Sequence, residues 1–171
     1  MSASITVIDT SSIIQVRHTV AKKSEQSEVY KKLSQLVVSG TLVYPKEVLP
    51  ELKRFSITDP SFHDLALEWT QANSSIATKH DVPLDTVKAV LQQVPDVLDP
   101  DKLGVDEADP YVLALAIHLQ TQGIQVVVLT EERRDKPGGK ISMTTACGHL
   151  GLVPLPMERF LMKNGIWKRN E

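Results

Sequence analysis

The stretch Val7-Ile8-Asp9-Thr10-Ser11-Ser12 runs from an apolar segment straight into a carboxylate and three hydroxyls. Residues 5–8 are rich in β-branched side chains and predict a short strand, whereas 11–20 has apolar residues at helical spacing. We therefore expect a strand-to-helix unit that is complete by about Val20, with Asp9 at its junction. Asp before hydroxyl residues is also a common helix cap, so Asp9 alone permits a structural or a chemical role.

Strand and helix patterns alternate along the rest of the chain. The clearest strand is 124–129, a continuous apolar run typical of parallel strands buried on both faces. Two more strands are predicted at 41–44 and 152–155. Helices are predicted up to Ser39 with Gly40 as the stop, from Pro50, from Asp59-Pro60, from Asp85-Thr86, from Asp109-Pro110, over 144–149 and over 157–163. This alternation predicts an α/β fold with a mostly parallel central sheet.

The bulk composition is that of an ordinary globular protein. The 171 residues suit a single domain over 1–171, and the apolar fraction of 42% permits a substantial core. Cys147 is the only cysteine, so neither an intrachain disulfide nor a cysteine-based zinc site is available. These features favour a reducing, cytoplasmic location.

The sequence indicates neither a membrane-spanning segment nor an overall positive charge that would attract nucleic acid. The N-terminal residues lack a basic region ahead of a long apolar stretch, and the apolar runs are only strand-sized, so we expect no secretion and no membrane insertion. The formal net charge is −2, with 19 Lys and Arg against 21 Asp and Glu. Any nucleic acid must therefore be bound locally, and a cation held by carboxylates is one way to attract phosphate.

Several acidic residues follow strands or begin helices. Asp9 and Glu132 lie just after predicted strands, and Glu51 and Asp109 lie at predicted helix starts. In an open parallel sheet these positions meet at the edge formed by the carboxyl ends of the strands. Converging carboxylates repel each other unless some are protonated or cations bind between them, and oxygen ligands suit Mg²⁺ or Mn²⁺. The pattern predicts metal-dependent phosphodiester cleavage.

Four motifs in order resemble PIN-domain ribonucleases, in a branch similar to VapC-type toxins. They are Val-Ile-Asp-Thr-Ser-Ser, Pro-Lys-Glu-Val-Leu-Pro-Glu-Leu, Glu-Ala-Asp-Pro-Tyr-Val-Leu-Ala-Leu-Ala and Val-Val-Val-Leu-Thr-Glu-Glu, followed by Ala146-Cys147 and Gly151-Leu152. The resemblance covers nearly the whole chain. It implies a three-layer α/β/α PIN-like fold, endonucleolytic cleavage of RNA, a homodimer, and a cognate antitoxin protein where the gene belongs to a toxin pair.

Carried over by residue, the resemblance makes Asp9, Glu51, Asp109 and Glu132 the metal-binding carboxylates. Glu132 departs from the pattern, because similar proteins usually have Asp at that position, and the longer side chain leaves open whether one or two ions bind.

Other polar residues surround these carboxylates in the sequence. The hydroxyls of Thr10, Ser11 and Thr130 are expected to orient the carboxylates or the waters around an ion. The basic residues Arg133, Arg134 and Lys136, together with Lys140, form either a solvated loop or an RNA phosphate contact.

Some assignments have direct competitors. Glu47 competes with Glu51, and Glu131 competes with Glu132, since adjacent residues leaving a strand point in different directions. Asp106 and Glu107 are expected to be loop charges, with the alternative that one of them lines the site.

Three functions compete as well. The leading one is an RNA endonuclease that uses Mg²⁺ or Mn²⁺; the alternative is a catalytically inactive PIN-like module that binds RNA or protein. A phosphatase of the haloacid-dehalogenase type is disfavoured, because Ser11 stands where that family needs a second Asp.

Overall fold

The computed structural model of this protein describes residues 4–56, 64–102 and 107–170. Its strands are β1 (Ser4–Ile8), β2 (Leu42–Val43), β3 (Gln125–Leu129) and β4 (Val153–Leu155). Its helices are α1 (Thr10–Thr19), α2 (Lys23–Val38), α3 (Val48–Ser56), α4 (Leu65–Ala77), α5 (Leu84–Gln93), a 3₁₀ turn (Pro95–Val97), α6 (Asp109–Thr121), α7 (Met143–Leu150) and α8 (Met157–Lys163).

The strands form a parallel sheet in the order β2-β1-β3-β4. Strand β1 pairs with β3 along its whole length, so that Ile8 lies opposite Leu129, and it pairs with β2 through Val7 and Val43. The predicted parallel α/β fold is therefore confirmed. In this register the residues that follow β1 and β3 emerge side by side at one edge of the sheet.

Helices cover both faces of the sheet. Helix α6 packs on β1 and β3 and contacts α5 and α7, whereas α1 contacts α2 and α8. Right-handed crossovers explain this division, because the chain moves one way along the sheet from β1 to β2 and the other way from β2 to β3 and β4. The result is the three-layer α/β/α arrangement.

Helix α6 lies at the centre of the core, as its sequence predicted. Residues Val112 to Ala116 are all buried, and the helix has no polar face in that segment. A helix that is apolar all round has to be enclosed, and here the sheet and the neighbouring helices enclose it. The first turn of α6, which includes Asp109, is thereby fixed against the carboxyl edge.

The element ends differ in detail from the expectation. Asp before Pro is a common pair of cap and first helical residue, but here Ala108 is the cap and Asp109 is already the first residue of α6. The predicted helix start at Asp59-Pro60 lies outside the described residues, and Asp64 caps α4 through the backbone N–H of Ala66. Within the described part of the chain, no helix has the length and apolar character needed to cross a membrane.

Candidate functional site

Asp9 lies at the carboxyl edge of the sheet, directly after β1. Its backbone N–H donates to the Leu129 carbonyl at 3.0 Å, which continues the β1–β3 pairing and places Asp9 beside Thr130. The carboxylate caps α1, because its Oδ1 accepts from the backbone N–H of Ser12 at 3.1 Å. The same Oδ1 accepts from the Ser11 hydroxyl at 2.6 Å. Capping and a chemical role therefore coexist at this residue, since a carboxylate accepts several bonds.

The Asp9 carboxyl is almost completely enclosed, with the residue 2% exposed. Burial raises its pKa from 3.8 to about 7, although hydrogen bonds from Ser11, Thr130 and Ser12 act to lower the pKa; the charge of Glu132 raises it further. A buried carboxylate of this kind is stabilised by protonation or by a cation.

Glu51 and Asp109 reach the site from two helices. Glu51 is in the first turn of α3, and its Oε2 accepts from the backbone N–H of Ala108 at 2.8 Å, which ties α3 to the start of α6. Asp109 follows Ala108, and burial raises its pKa well above the usual value. The charges of Asp9, Glu132 and Glu51 raise that pKa further. The carboxylates of Asp9, Glu132 and Glu51 therefore lie near enough to Asp109 for their charges to act on it.

Lys140 is a buried cationic side chain that contacts the carboxylate cluster of Asp9, Glu51, Asp109 and Glu132. Its side chain is 5% exposed, and its Nζ lies 2.7 Å from Glu132 Oε1 and 3.7 Å from Asp109 Oδ2. Burial lowers its pKa, but the hydrogen bond to Glu132 and the charges of Asp109 and Glu132 outweigh that effect, so the pKa lies above the ordinary value. The solvated-loop alternative stated for Lys140 from the sequence is therefore wrong, and the phosphate contact stays a prediction.

Glu131 and Glu132 leave β3 in different directions. Glu131 Oε1 accepts from the backbone N–H of Met157 at 2.6 Å and from the Ser12 hydroxyl at 3.3 Å, so this carboxylate closes the N-terminus of α8. Glu132 turns the other way, toward Lys140 and Asp109. Of the two, Glu132 is the member of the carboxylate cluster.

The hydroxyls expected around the carboxylates are present in distinct roles. Ser11 donates to Asp9, and its Oγ accepts from the backbone N–H of Glu131 at 3.1 Å. Thr130 Oγ1 accepts from the backbone N–H of Glu132 at 3.2 Å. Thr10 Oγ1 is buried without a hydrogen-bond partner among the described residues. Ser11 and Thr130 therefore position Asp9, Glu131 and Glu132.

Of the competing acidic residues, Glu107 has structural partners for its carboxylate. Glu107 is buried, its Oε2 accepts from the backbone N–H of Asp99 at 2.9 Å, and Lys102 lies 4.0 Å from its other oxygen. Glu47 contributes its backbone carbonyl to the Glu51 N–H at 3.4 Å. Asp106 lies outside the described residues.

The cationic side chains of residues 133–140 have different surroundings. Arg133 lines a cavity of about 520 Å³ between the sheet edge and α8, whose other cationic lining residues are Arg159 and Arg169. Thr130 also lines this cavity, which places it next to the carboxylate cluster. Lys136 lies 3.5 Å from Asp99 Oδ2, and Arg134 is exposed. Of the three predicted RNA contacts, Arg133 is the one that faces the cavity.

The donor chemistry of the cluster suits a hard divalent cation, since it consists of carboxylate oxygens that are buried and mutually repelling. Among residues 4–56, 64–102 and 107–170, the side chains do not form a group of three or more His, Cys, Asp or Glu placed to hold a metal. Mg²⁺, however, retains several waters and is usually held by one or two carboxylates together with substrate phosphate. Asp9 and Asp109 are sufficient in number for such a site.

Sequence reasoning missed two features of this edge, the buried Lys140 and the structural use of Glu131. The only sequence signal for Lys140 is its place directly before the apolar Ile141 and the helix-capping Ser142. A charged residue next to a helix start is common on protein surfaces, so this signal is weak.

Comparisons with known proteins agree with this architecture. A family model described as a domain of unknown function (DUF4411) matches residues 6–167. The structure is similar to the crystal structure of PAE2754 from Pyrobaculum aerophilum, with a TM-score of 0.51 and 13% identity over 96% of this chain and 99% of that chain. At this identity the likeness concerns the fold alone. No curated protein matches the chain.

Proposed function

We propose that this chain, which belongs to the DUF4411 family, is a Mg²⁺- or Mn²⁺-dependent endoribonuclease that hydrolyses RNA phosphodiesters. The observation that carries the proposal is the placement of Asp109 at the carboxyl edge, where Lys140 Nζ lies 3.7 Å from its Oδ2 and 2.7 Å from Glu132 Oε1. The preceding Ala108 N–H donates to Glu51, and burial together with the charges of Asp9, Glu132 and Glu51 raises the Asp109 pKa. Perturbed carboxyls that lie together at the carboxyl edge of a parallel sheet are typical of functional sites.

In this proposal Asp9 and Asp109 hold the ion, with Glu51 and Glu132 beside them. An ion held there would supply an activated water and would neutralise charge on the scissile phosphate. Ser11 keeps the Asp9 carboxylate in place through the 2.6 Å hydrogen bond, and Ala108 N–H holds Glu51. Burial of these groups strengthens their attraction for a cation.

RNA is proposed to reach the carboxylates along the arginine-lined cavity. Arg133, Arg159 and Arg169 line this cavity, and arginine pairs well with phosphate oxygens. Glu158 lines it too and pairs with Arg169, and Arg133 lies 4.0 Å from Glu131, so a phosphate would compete with these carboxylates. Pro154, Pro156 and Met162 provide apolar surface in the same cavity. The phosphates of a single strand would pair with the arginines, and its bases would lie on the apolar side chains.

The resemblance to PIN-domain ribonucleases extends the proposal to the biological setting. On that basis we propose a toxin of the VapC type, a homodimer and a cognate antitoxin as protein partner. A cytoplasmic location is consistent with Cys147, which is buried and unpaired.

The deciding experiment is a cleavage assay on single-stranded RNA with Mg²⁺ or Mn²⁺, comparing the wild type with Asp9→Asn and Asp109→Asn. We expect each substitution to reduce cleavage by about a thousandfold or more, because loss of the ion removes several kcal/mol of transition-state stabilisation. Asp85→Asn, at an exposed position in α5, is the matched control and should cleave normally. Undiminished cleavage by both site variants would refute the proposal.

A second candidate is a catalytically inactive module that binds RNA or protein. It is favoured by the Lys140–Glu132 pair, because the buried ammonium partly meets the need for a cation. Calorimetric titration with Mn²⁺ separates the two functions. RNA binding without Mn²⁺ binding or cleavage would establish the inactive module.

A further inference from the structure

Three cavities adjoin one another along α8 and the segment that follows it. The arginine-lined cavity, which begins at Thr130, shares Glu158 and Arg169 with a second cavity of about 430 Å³ between α1, the start of α2 and that segment. The second cavity shares Glu25 and Trp167 with a third, of about 400 Å³, between α2 and the same segment. Because neighbouring cavities have side chains in common, they form one continuous groove, which we call the α8 groove.

The α8 groove is positively charged, although the chain as a whole is not. Its lining has six Lys and Arg side chains against three Glu, whereas the whole chain has a net charge of −2. Arg169 pairs with Glu158, and Arg133 lies 4.0 Å from Glu131. The cationic lining residues that make no ion pair within the described part of the chain are Lys22, Lys32, Arg159 and Lys168. Their charges are available to the phosphates of a polyanion.

Trp167 lines both the second and the third cavity. The residue is half-buried and packs against the hydrophobic core, and its backbone N–H donates to the Leu161 carbonyl at 3.4 Å. The indole ring is therefore fixed in the wall of the groove, among cationic side chains. Proteins bind single-stranded nucleic acid with this combination, because bases stack on aromatic rings while phosphates pair with the cations.

We propose that the α8 groove is an extended binding site for single-stranded RNA, in which Trp167 stacks on a base and the lysines of the second and third cavities contact phosphates. The inference rests on the proposed RNA substrate, and it requires neither a metal ion nor cleavage. It makes the preferred substrate a single strand long enough to reach from the arginine-lined cavity to α2. Glu158 opposes binding, because a phosphate has to compete with this carboxylate for Arg169.

The test is fluorescence anisotropy with labelled oligouridylates of about 4 and about 12 nucleotides, with a chelator present so that neither an ion nor cleavage contributes. Trp167→Leu removes the ring and keeps an apolar side chain, and Trp167→Phe keeps a ring and is the matched control. Lys168→Ala removes an exposed charge from the same part of the groove, so it decides the question if Trp167→Leu does not fold. Glu158→Gln releases Arg169 from its ion pair.

We expect the wild type to bind the longer strand more tightly than the shorter one. Trp167→Leu should weaken binding of the longer strand about tenfold, which is the typical contribution of one stacked base, and should leave binding of the shorter strand unchanged. Lys168→Ala should also weaken binding of the longer strand, Trp167→Phe should be close to the wild type, and Glu158→Gln should bind more tightly.

Equal binding of the two strands by the wild type would overturn the inference, and so would undiminished binding of the longer strand by Trp167→Leu or by Lys168→Ala. Either result would leave the proposed nuclease intact, because cleavage is measured separately. A wild type that prefers the longer strand but cleaves no RNA would refute the proposed nuclease and support the α8 groove as the RNA site of an inactive module.

Discussion

The adjacent residues Glu131 and Glu132 have different kinds of partner on the two sides of the carboxyl edge. On the α8 side, Glu131 accepts from the Met157 N–H and the Ser12 hydroxyl. On the α6 side, Glu132 faces Lys140 and lies close enough to Asp109 to raise its pKa. Two adjacent residues thus differ in their partners: Glu131 accepts from a backbone N–H, and Glu132 pairs with the buried ammonium group of Lys140.

The difference shows which carboxylates are structural and which are available for chemistry. The Met157 N–H and the Ser12 hydroxyl hold Glu131 Oε1, and Arg133 lies 4.0 Å from its other oxygen. A ligand can replace the N–H only by opening the start of α8. The α6 side has more carboxylates than cations within the described residues, since Lys140 is the cation in contact with both Glu132 and Asp109. Such an excess destabilises the fold unless an ion or protons are added.

The largest expected effect is on the α6 side, where Asp9→Asn should stabilise the protein in the absence of metal. The Asp9 pKa is raised from 3.8 to about 7 in the folded state. A raised carboxyl pKa gives stability that is fully present below the unfolded value and is lost as pH rises through the folded value. Asparagine carries no such charge and still caps α1.

We therefore expect chelator-treated Asp9→Asn to match the wild type in acid and to exceed it above neutral pH by up to about 4 kcal/mol. Urea unfolding across a pH series measures the difference. Mn²⁺ should then stabilise the wild type and leave the variant unchanged. An equal pH dependence of the two proteins would show that Asp9 ionises normally and that the α6 side has no excess charge.

On the α8 side the expected sign is reversed, and Glu131→Ala should destabilise the protein. The substitution leaves the Met157 N–H and the Ser12 hydroxyl without their acceptor, which typically costs about 1–3 kcal/mol. Glu131→Gln keeps a side-chain oxygen and is the matched control, with a smaller loss. Mn²⁺ titration of both variants should equal that of the wild type. Weakened Mn²⁺ binding in Glu131→Gln would instead assign Glu131 to the metal site.

Much of this edge was predictable from the sequence, because local patterns determine it. The β-branched run before Thr130 and the apolar run after Asp109 predicted β3 and α6, and parallel pairing then brought Asp9, Asp109 and Glu132 to one edge. The convergence of the carboxylates follows from topology alone. No detail of side-chain packing was needed for it.

The roles of Glu131 and Lys140 were not predictable, since they depend on how the chain returns after the strand. Glu131 is fixed by the backbone of Met157, which lies 26 residues later in the sequence. Lys140 is fixed by a loop whose closure involves Asp96, far away along the chain. Residues 133–140 form a basic run in the sequence, and the side chains of such runs are usually solvated. The three-dimensional closure of the loop overrides that tendency for Lys140.

The smallest expected effect concerns the arginine-lined cavity, where Arg159→Ala should weaken RNA binding. The α8 side would then contribute positive charge for phosphate, and not carboxylates for a metal. Removing one arginine that contacts phosphate should lower the slope of log affinity against log salt concentration by about 1. Fluorescence anisotropy with a labelled single strand, in the Asp9→Asn background, measures binding without cleavage. Lys88→Ala, at an exposed position in α5 away from the cavity lining, is the control. An unchanged slope in Arg159→Ala would exclude Arg159 from the RNA path and confine phosphate binding to the α6 side of the edge.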